Sequence, residues 1–180
     1  KKIKIAQLGV GHAHANGIFL SIINQSDIFE YVGYCVCPGE EDAFNNYADV
    51  IKEEYAKYPR LSLDQLLNYP GLDCVCVEVE EMYLNKYAQM VADKGLHMFI
   101  DKPGAVSQDD YENILKTAKE KDLVVFLAYM YRYNPAISST IQRAKQGEFG
   151  KIYSIDAQMN GQNTLRDRKW LNNFKGGMMY

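Results

Sequence analysis

Short apolar runs alternate with longer amphipathic segments over most of the chain. Runs that predict strands lie at 3–8, 31–37, 72–79, 97–100 and 123–129, and 59–61 is a weaker candidate for a short third strand. Between them, apolar residues spaced three or four apart predict helices over 12–24, 40–58, 62–68, 80–94 and 107–121. Strands buried on both faces and alternating with helices are typical of a parallel sheet with right-handed crossovers. The pattern therefore predicts a doubly wound, Rossmann-type α/β domain.

The pattern changes near Asn134-Pro135. Residues 136–146 predict a helix, and 151–160 predict a strand with one more apolar face. A single strand cannot form a sheet alone. We therefore predict two domains: a Rossmann domain over 1–130 and, over 131–180, the truncated beginning of a second domain.

Composition narrows the class of protein. The chain has 180 residues, 47% hydrophobic and 24% charged, with a net charge of −3. These values are typical of a globular domain and do not indicate a nucleic-acid partner. The apolar runs fall short of the roughly 20 residues of a membrane span, and the first strand begins at once, so neither a membrane segment nor a signal peptide is expected.

Four cysteines form two Cys-x-Cys pairs, Cys35/Cys37 and Cys74/Cys76, in the predicted second and fourth strands. In a doubly wound sheet the first strand lies between these two, which separates the pairs by roughly 10 Å, too far for a disulfide. Thiolate zinc ligation is the alternative, but Cys-x-Cys on a strand is poor chelating geometry. Buried, reduced thiols and a cytoplasmic location are expected.

A glycine turn joins the first strand to the first helix. Gly9-Val10-Gly11 follows an apolar strand and precedes a helical segment, which is the context of a dinucleotide-binding turn. The first glycine permits the tight turn, the second lets a phosphate approach the backbone, and the helix N-terminus offers N–H donors. A third glycine is absent, because His14 occupies its place.

A second candidate stretch, Asp101-Lys102-Pro103-Gly104, ends the 97–100 strand. Ligands of open α/β sheets bind at this edge, where a lysine can hydrogen-bond a substrate oxygen. Pro103 is a candidate for a cis bond. The alternative is an ordinary strand-end turn with a solvated lysine.

With these stretches the chain resembles the Gfo/Idh/MocA oxidoreductases, which include glucose–fructose oxidoreductase and inositol dehydrogenase. Matching segments occur in family order: the glycine turn, the stretch 95–103, then 131–136, 147–152 and finally Trp170 with Gly176-Gly177. The stretch 95–103 is similar to the family's Gly-Lys-His-Val-x-x-Glu-Lys-Pro, and 131–136 is similar to its Arg-[Phe/Tyr]-x-Pro.

The resemblance implies a Rossmann domain that binds NAD or NADP, followed by an α/β domain with an open, mostly antiparallel sheet that makes a homo-oligomer. It implies hydride transfer to or from a hydroxyl or carbonyl carbon of a sugar or polyol, with Lys102 and Asp101 as catalytic residues. The family's catalytic His would lie beyond Tyr180, so this chain alone is expected to be inactive. The residues expected to bind the cofactor are Gly9, Val10, Gly11, His12, Ala13, His14, Cys37, Glu78, Val79, Lys102 and Arg132.

Some positions depart from the family pattern. The second strand ends in Val36-Cys37-Pro38, without an acid for the ribose 2′-hydroxyl; Glu40 and Glu41 are the next carboxylates along the chain. The run Glu78-Val79-Glu80-Glu81 would repel a phosphate. These departures are the reason to keep an alternative to the oxidoreductase, a non-catalytic cofactor or metabolite sensor that retains the fold.

His12 and His14 form a His-x-His pair that could ligate a metal. Their position at the junction of loop and helix favours residues that face the helix dipole or lie at the surface, so no metal is expected. The sequence leaves two roles open for Tyr131 and Arg132. They could contact the nicotinamide or the substrate, or they could pack between the domains.

Overall fold

The computed structural model describes residues 1–158. Five parallel strands form one sheet in the order β2-β1-β3-β4-β5. The strands are β1 (Ile3–Leu8), β2 (Phe29–Cys35), β3 (Cys74–Val77), β4 (His97–Ile100) and β5 (Val125–Leu127). The helices are α1 (Ala15–Ile23), α2 (Glu41–Asn45), α3 (Asp49–Tyr55), α4 (Leu63–Leu67), α5 (Leu84–Asp93), α6 (Gln108–Glu120) and α7 (Pro135–Lys145). Short 3-10 turns lie at Glu81–Tyr83 and Met130–Tyr133.

The chain divides into two compact units, Lys1–Tyr129 and Met130–Tyr180. The first contains the whole sheet and six helices of the described part, and it has the predicted doubly wound α/β architecture. No helix in the described residues is long and apolar enough to cross a membrane.

The two faces of the sheet carry separate apolar layers because neighbouring strand residues point to opposite faces. Ala6 and Leu8 of β1 pack with α4, α5 and α6, whereas Ile5 packs with α1 and α3. On the second face, Phe19 and Tyr55 stack with ring centroids 3.8 Å apart. Burial of both faces explains the continuous apolar runs in the sequence.

The candidate third strand at 59–61 is reduced to one parallel bridge between Tyr34 and Arg60. It is fixed by hydrogen bonds from Tyr34 N to Pro59 O and from Leu61 N to Tyr34 O. Proline has no N–H to donate, which limits how far a ladder extends here. The sheet therefore has five strands and not six.

The helix predicted over 40–58 is wrong in its continuity, because the structure has two short helices, α2 and α3. The break is at Ala48, whose backbone leaves the helical region with φ −58° and ψ 145°. It brings the Tyr47 hydroxyl to the carbonyl of Val10, to which it donates at 2.6 Å. Of the predicted apolar positions, Phe44, Tyr47, Ile51 and Tyr55 pack in one core layer, whereas Val50 is 62% exposed.

The second unit begins with the 3-10 turn and α7, which the Asn134 side chain caps by accepting hydrogen bonds from the N–H groups of Ala136 and Ile137. The strand predicted at 151–160 is absent over 151–158, which have no regular secondary structure. Residues 159 and 160, Trp170 and Gly176-Gly177 lie outside the described residues. The predicted antiparallel sheet is therefore not confirmed.

Candidate cofactor and substrate site

The glycine turn is tied to the carboxyl ends of two neighbouring strands. Gly9 N donates to Cys35 O of β2 at 2.9 Å, and His12 N donates to the carbonyl of Glu78 after β3 at 2.9 Å. Gly9 has φ +92°, and a Cβ there would lie 2.4 Å from Val79 Cγ1. The turn thus requires glycine for both its conformation and its contact with Val79.

Glu40 supplies the carboxylate that the end of β2 lacks in sequence. It is 5% exposed and accepts hydrogen bonds from the N–H groups of Val10 (2.9 Å), Gly11 (3.0 Å) and Cys37 (2.9 Å). Burial raises the pKa of Glu40 above its ordinary value, against the opposing effect of these three bonds. Glu41 instead pairs with Arg60 in an exposed position.

The turn fits the diphosphate of a dinucleotide. The N–H groups of Val10 and Gly11 already bind an anionic oxygen pair, so the loop is an anion cradle. A Cβ at Gly11 would lie 2.6 Å from Glu40 Oε1, which shows how closely an anion approaches the backbone there. Helix α1 follows the carboxyl end of β1, so its N-terminus lies at the same edge, where no side-chain cap accepts from it.

A buried cluster surrounds His12 beside this turn. His12 Nδ1 lies 3.1 Å from Asp101 Oδ2, and His12 Nε2 lies 3.1 Å from Glu81 Oε1. His14 Nδ1 lies 3.0 Å from the same Asp101 oxygen. The surface position expected for the pair is wrong for His12, whose side chain is wholly buried, while that of His14 is 46% exposed.

Burial and the neighbouring charges shift the pKa values of the ionisable groups in this cluster. Burial acts to lower the pKa of His12, but contacts with Asp101 and Glu81 raise it to about 9. Burial, and then the neighbouring Asp101 carboxylate, raise the pKa of Glu78 to about 8. Burial also opposes ionisation of Asp101, but the contact with His12 lowers its pKa overall. These contacts therefore favour a charged His12–Asp101 pair, whereas burial opposes ionisation of Glu78.

Lys102 follows Asp101 at the end of β4. Its backbone N–H donates to Asp101 Oδ1 at 2.6 Å, and its side chain is 43% exposed, with Nζ 3.9 Å from Glu81 Oε1. The Lys102–Pro103 bond is cis, as expected from the sequence. A half-exposed ammonium at the carboxyl edge of the sheet can donate to a bound oxygen.

The structure brings the predicted residues of the first unit to this one edge, from the ends of β1, β2, β3 and β4. Several of them present almost no side-chain surface to a ligand: Val10, His12, Cys37, Glu78 and Val79 are at most 2% exposed. Ala13 and His14 are exposed. Arg132 lies in the second unit, in the turn Met130–Tyr133, and is exposed.

Sequence reasoning did not identify the partners that organise this edge. Glu40 was noted only as a nearby carboxylate, and Glu81 only as part of a repulsive run. Tyr47, which donates to Val10 O, was counted as part of an apolar stripe. The available signal for Glu40 was its place three residues after Cys37, where a short turn returns it to the strand end.

A glycine turn between β1 and α1, a carboxylate at the end of β2 and a lysine after β4 define a dinucleotide-binding Rossmann domain. The chain belongs to the Gfo/Idh/MocA oxidoreductase family with an NAD-binding Rossmann fold, whose model matches residues 5–129. Membership agrees with the family resemblance of the sequence motifs.

Curated relatives carry several activities. The 2,7-anhydro-N-acetylneuraminate hydratase of Escherichia coli is 28% identical over 123 residues, which are 66% of this chain and 33% of that protein. The scyllo-inositol 2-dehydrogenase (NAD(+)) of Bacillus subtilis is 24% identical over 155 residues, 83% of this chain and 42% of that protein. The chain thus spans less than half the length of either relative.

A solved structure shares the fold. The WlbA dehydrogenase from Bordetella pertussis, in complex with NADH and UDP-GlcNAcA, superimposes with a TM-score of 0.71 at 23% identity. The match covers 85% of this chain and 45% of that one. The inferred architecture is therefore that of a known NADH-binding protein.

Proposed function

We propose that this chain is the cofactor-binding part of an NAD-dependent oxidoreductase that moves a hydride to or from a hydroxyl or carbonyl carbon of a sugar, polyol or related small molecule. The observation that carries the proposal is the glycine turn with its N–H groups on a buried carboxylate, at the same sheet edge as Lys102. Bound NAD supplies the hydride acceptor.

Different residues of the chain would bind different parts of the cofactor. The N-terminus of α1 and the loop N–H groups, which the Glu40 carboxylate would release on cofactor binding, would hold the diphosphate. The released carboxylate would accept hydrogen bonds from the adenosine ribose hydroxyls. The Glu40 carboxylate would also repel a ribose 2′-phosphate, which favours NAD over NADP. Arg132 is also proposed to bind the cofactor.

Lys102 would orient the substrate. Its Nζ would donate a hydrogen bond to the reacting oxygen, while Asp101 holds the Lys102 backbone N–H. The chain spans less than half the length of the relatives named above, so the activity is proposed for the whole protein. The sugar and polyol names of the relatives support the substrate class.

We also propose the roles of the two domains, the oligomeric state and the cellular compartment. Residues 1–130 would bind the cofactor, 131–180 would begin the domain that contacts substrate, and that domain would form a homo-oligomer. The four described cysteines are free, which supports a reducing compartment such as the cytoplasm.

Fluorescence titration with NADH and NADPH tests the cofactor step. We expect NADH to bind more tightly than NADPH, and Gly11→Ala to weaken NADH binding by at least about tenfold, or 1.4 kcal/mol. Gly17→Ala is the matched control, because a Cβ at Gly17 in α1 meets nothing within 4 Å. Absence of NADH binding at about millimolar concentration would contradict the proposal.

The substrate class is tested in the complete natural protein. Inositols, aldoses and sugar nucleotides with a uronic acid are incubated with NAD and followed by NADH absorbance. Product structure is determined as well, because one relative is named a hydratase. Turnover of a sugar or polyol with NADH formation is expected; cofactor binding without any such turnover would favour the sensor.

A further inference from the structure

We propose that His12, His14 and Asp101 form a binding site for a divalent transition-metal cation of the zinc type. The three ligand atoms, two imidazole nitrogens and one carboxylate oxygen, all lie within 4.8 Å of one another. Two histidines and one carboxylate are a ligand set of catalytic zinc and of ferrous iron. The site goes beyond the proposed function and does not rest on it.

The spacing of the ligand atoms suits an ion. Asp101 Oδ2 lies 3.1 Å from His12 Nδ1 and 3.0 Å from His14 Nδ1. Metal–nitrogen and metal–oxygen bonds of about 2.1 Å at tetrahedral or octahedral angles place adjacent ligand atoms roughly 3.0–3.4 Å apart. The two separations from Asp101 therefore match those of adjacent ligands on one ion, and the two histidine nitrogens, which lie within 4.8 Å of each other, would move to their final spacing when the ion binds.

Glu78 provides an independent indication of a ligand. Its side chain is wholly buried, and neither carboxylate oxygen has a hydrogen-bond partner within the described part of the chain. Glu78 Oε2 lies 4.0 Å from His12 Nδ1, the atom that also faces Asp101. Burying an unpartnered carboxylate is costly, and a cation beside His12 Nδ1 would supply the missing partner.

Glu81 completes the arrangement on the other side of the ring. Its Oε1 lies 3.1 Å from His12 Nε2, the nitrogen that does not face Asp101. Histidines that bind metal through one nitrogen commonly direct the other toward a carboxylate, which orients the ring. His14 N approaches His12 Nδ1 at 3.2 Å, and the ion would replace this hydrogen bond.

The competing explanation is a metal-free ionic cluster, in which a protonated His12 neutralises Asp101 and Glu81. Thiolate binding at Cys35/Cys37 or Cys74/Cys76 is a second explanation for any metal uptake. The three histidines of the sequence separate these explanations, because His97 is exposed on β4 and is not part of the cluster.

The test uses the complete chain after metal removal, titrated with Zn²⁺ by calorimetry and with Co²⁺ by absorption. We expect one ion per chain. Mutation of residues that only hydrogen-bond to a metal ligand lowers metal affinity about 10–100-fold. His14 is itself a proposed ligand, so His14→Ala should weaken Zn²⁺ binding at least ~100-fold. His14 is half-exposed, so the variant should fold, and circular dichroism checks this. His97→Ala should bind as wild type, and Glu78→Gln should weaken binding.

Equal Zn²⁺ affinity of folded His14→Ala and wild type would overturn the proposal, as would the absence of binding in wild type. A Co²⁺ spectrum with intense thiolate charge-transfer bands would assign the ion to cysteines and also overturn it. NADH titration of the same metal-free samples reports on the proposed function separately, so the two hypotheses fail independently.

Discussion

Glu40 accepts a hydrogen bond from the backbone N–H of Gly11 at 3.0 Å, although the two residues are 29 positions apart in sequence. An internal carboxylate therefore occupies N–H groups that this fold offers to a cofactor phosphate. The bond links the turn after β1 to the segment after β2, and it makes cofactor affinity depend on the charge of one side chain.

The charge of Glu40 predicts a pH dependence of NADH binding. Burial raises the pKa of Glu40 above its ordinary value of 4.5. Protonation removes a negative charge beside the diphosphate, so affinity should rise as pH falls through this raised pKa. NADH affinity measured at pH values on both sides of this raised pKa should depend on pH in the wild type. The dependence on pH should be lost in Glu40→Gln, whose amide keeps an acceptor oxygen.

Glu41→Gln is the control for this experiment, because Glu41 is exposed and pairs with Arg60. It should keep the wild-type dependence on pH. An unchanged dependence in Glu40→Gln would show that another group controls it; Glu80, whose pKa burial also raises, would then be examined.

Gly9 should tolerate alanine less well than Gly39. Their φ angles are +92° and +93°, so the backbone strain of a side chain is similar. A Cβ at Gly9 lies 2.4 Å from Val79 Cγ1, whereas one at Gly39 meets nothing within 4 Å. We expect the free energy of unfolding to fall about 1–3 kcal/mol further in Gly9→Ala, from overpacking. Urea denaturation of both variants measures the difference. Equal losses in the free energy of unfolding would contradict the claim that crowding against Val79 destabilises Gly9→Ala.

Lys102→Ala should reduce turnover of the complete natural protein with little effect on folding. Loss of one positioned hydrogen-bond donor to the reacting oxygen costs typically about 10²–10³-fold in rate. The side chain is 43% exposed, so its removal leaves no cavity in the core. Lys116→Ala, on the exposed face of α6, should leave kcat unchanged. Unchanged kcat in Lys102→Ala would remove this lysine from the mechanism.

Tyr55→Phe should destabilise the fold through Gln7. The buried Gln7 side-chain N–H donates to the Tyr55 hydroxyl at 3.0 Å, and also to Gly9 O at 2.9 Å. Removing the hydroxyl weakens a buried polar network, at a cost of about 1–3 kcal/mol in the free energy of unfolding. Thermal and urea unfolding measure the loss. Tyr58→Phe, which retains its ring packing on Phe19 in a partly exposed position, should cost less.

The architecture was largely predictable because it follows from local periodicity. Helix α4 begins at a capping box of Ser62 and Gln65, α6 begins at the cap Ser107, and Gly95 after α5 has a positive φ. All three are short-range features of the sequence. The helix break at Ala48 was not predictable, because it accompanies a tertiary contact. The absence of a strand at 59–61 was not predictable either, because it depends on the N–H group that Pro59 lacks.

The site was predictable only in part. The glycine turn and Lys102 are local motifs, and the doubly wound topology assigns them to one edge. The contact between His14 and Asp101 joins residues 87 positions apart, and no local pattern indicates it. The burial of His12 likewise depends on Glu78, Glu81 and Asp101 converging from two other strands. Motif spacing therefore identifies where chemistry occurs but not which side chains pair.

The acidic character of this edge has a consequence for association kinetics. Glu40, Glu80, Glu81 and Asp101 lie at this edge, and Lys102 and His12 carry opposing charge there. A dinucleotide arriving with negative phosphates meets a repulsive field, which dissolved salt screens over about 8 Å at physiological ionic strength. The association rate constant for NADH should therefore increase with ionic strength, opposite to the trend for an electrostatically steered ligand.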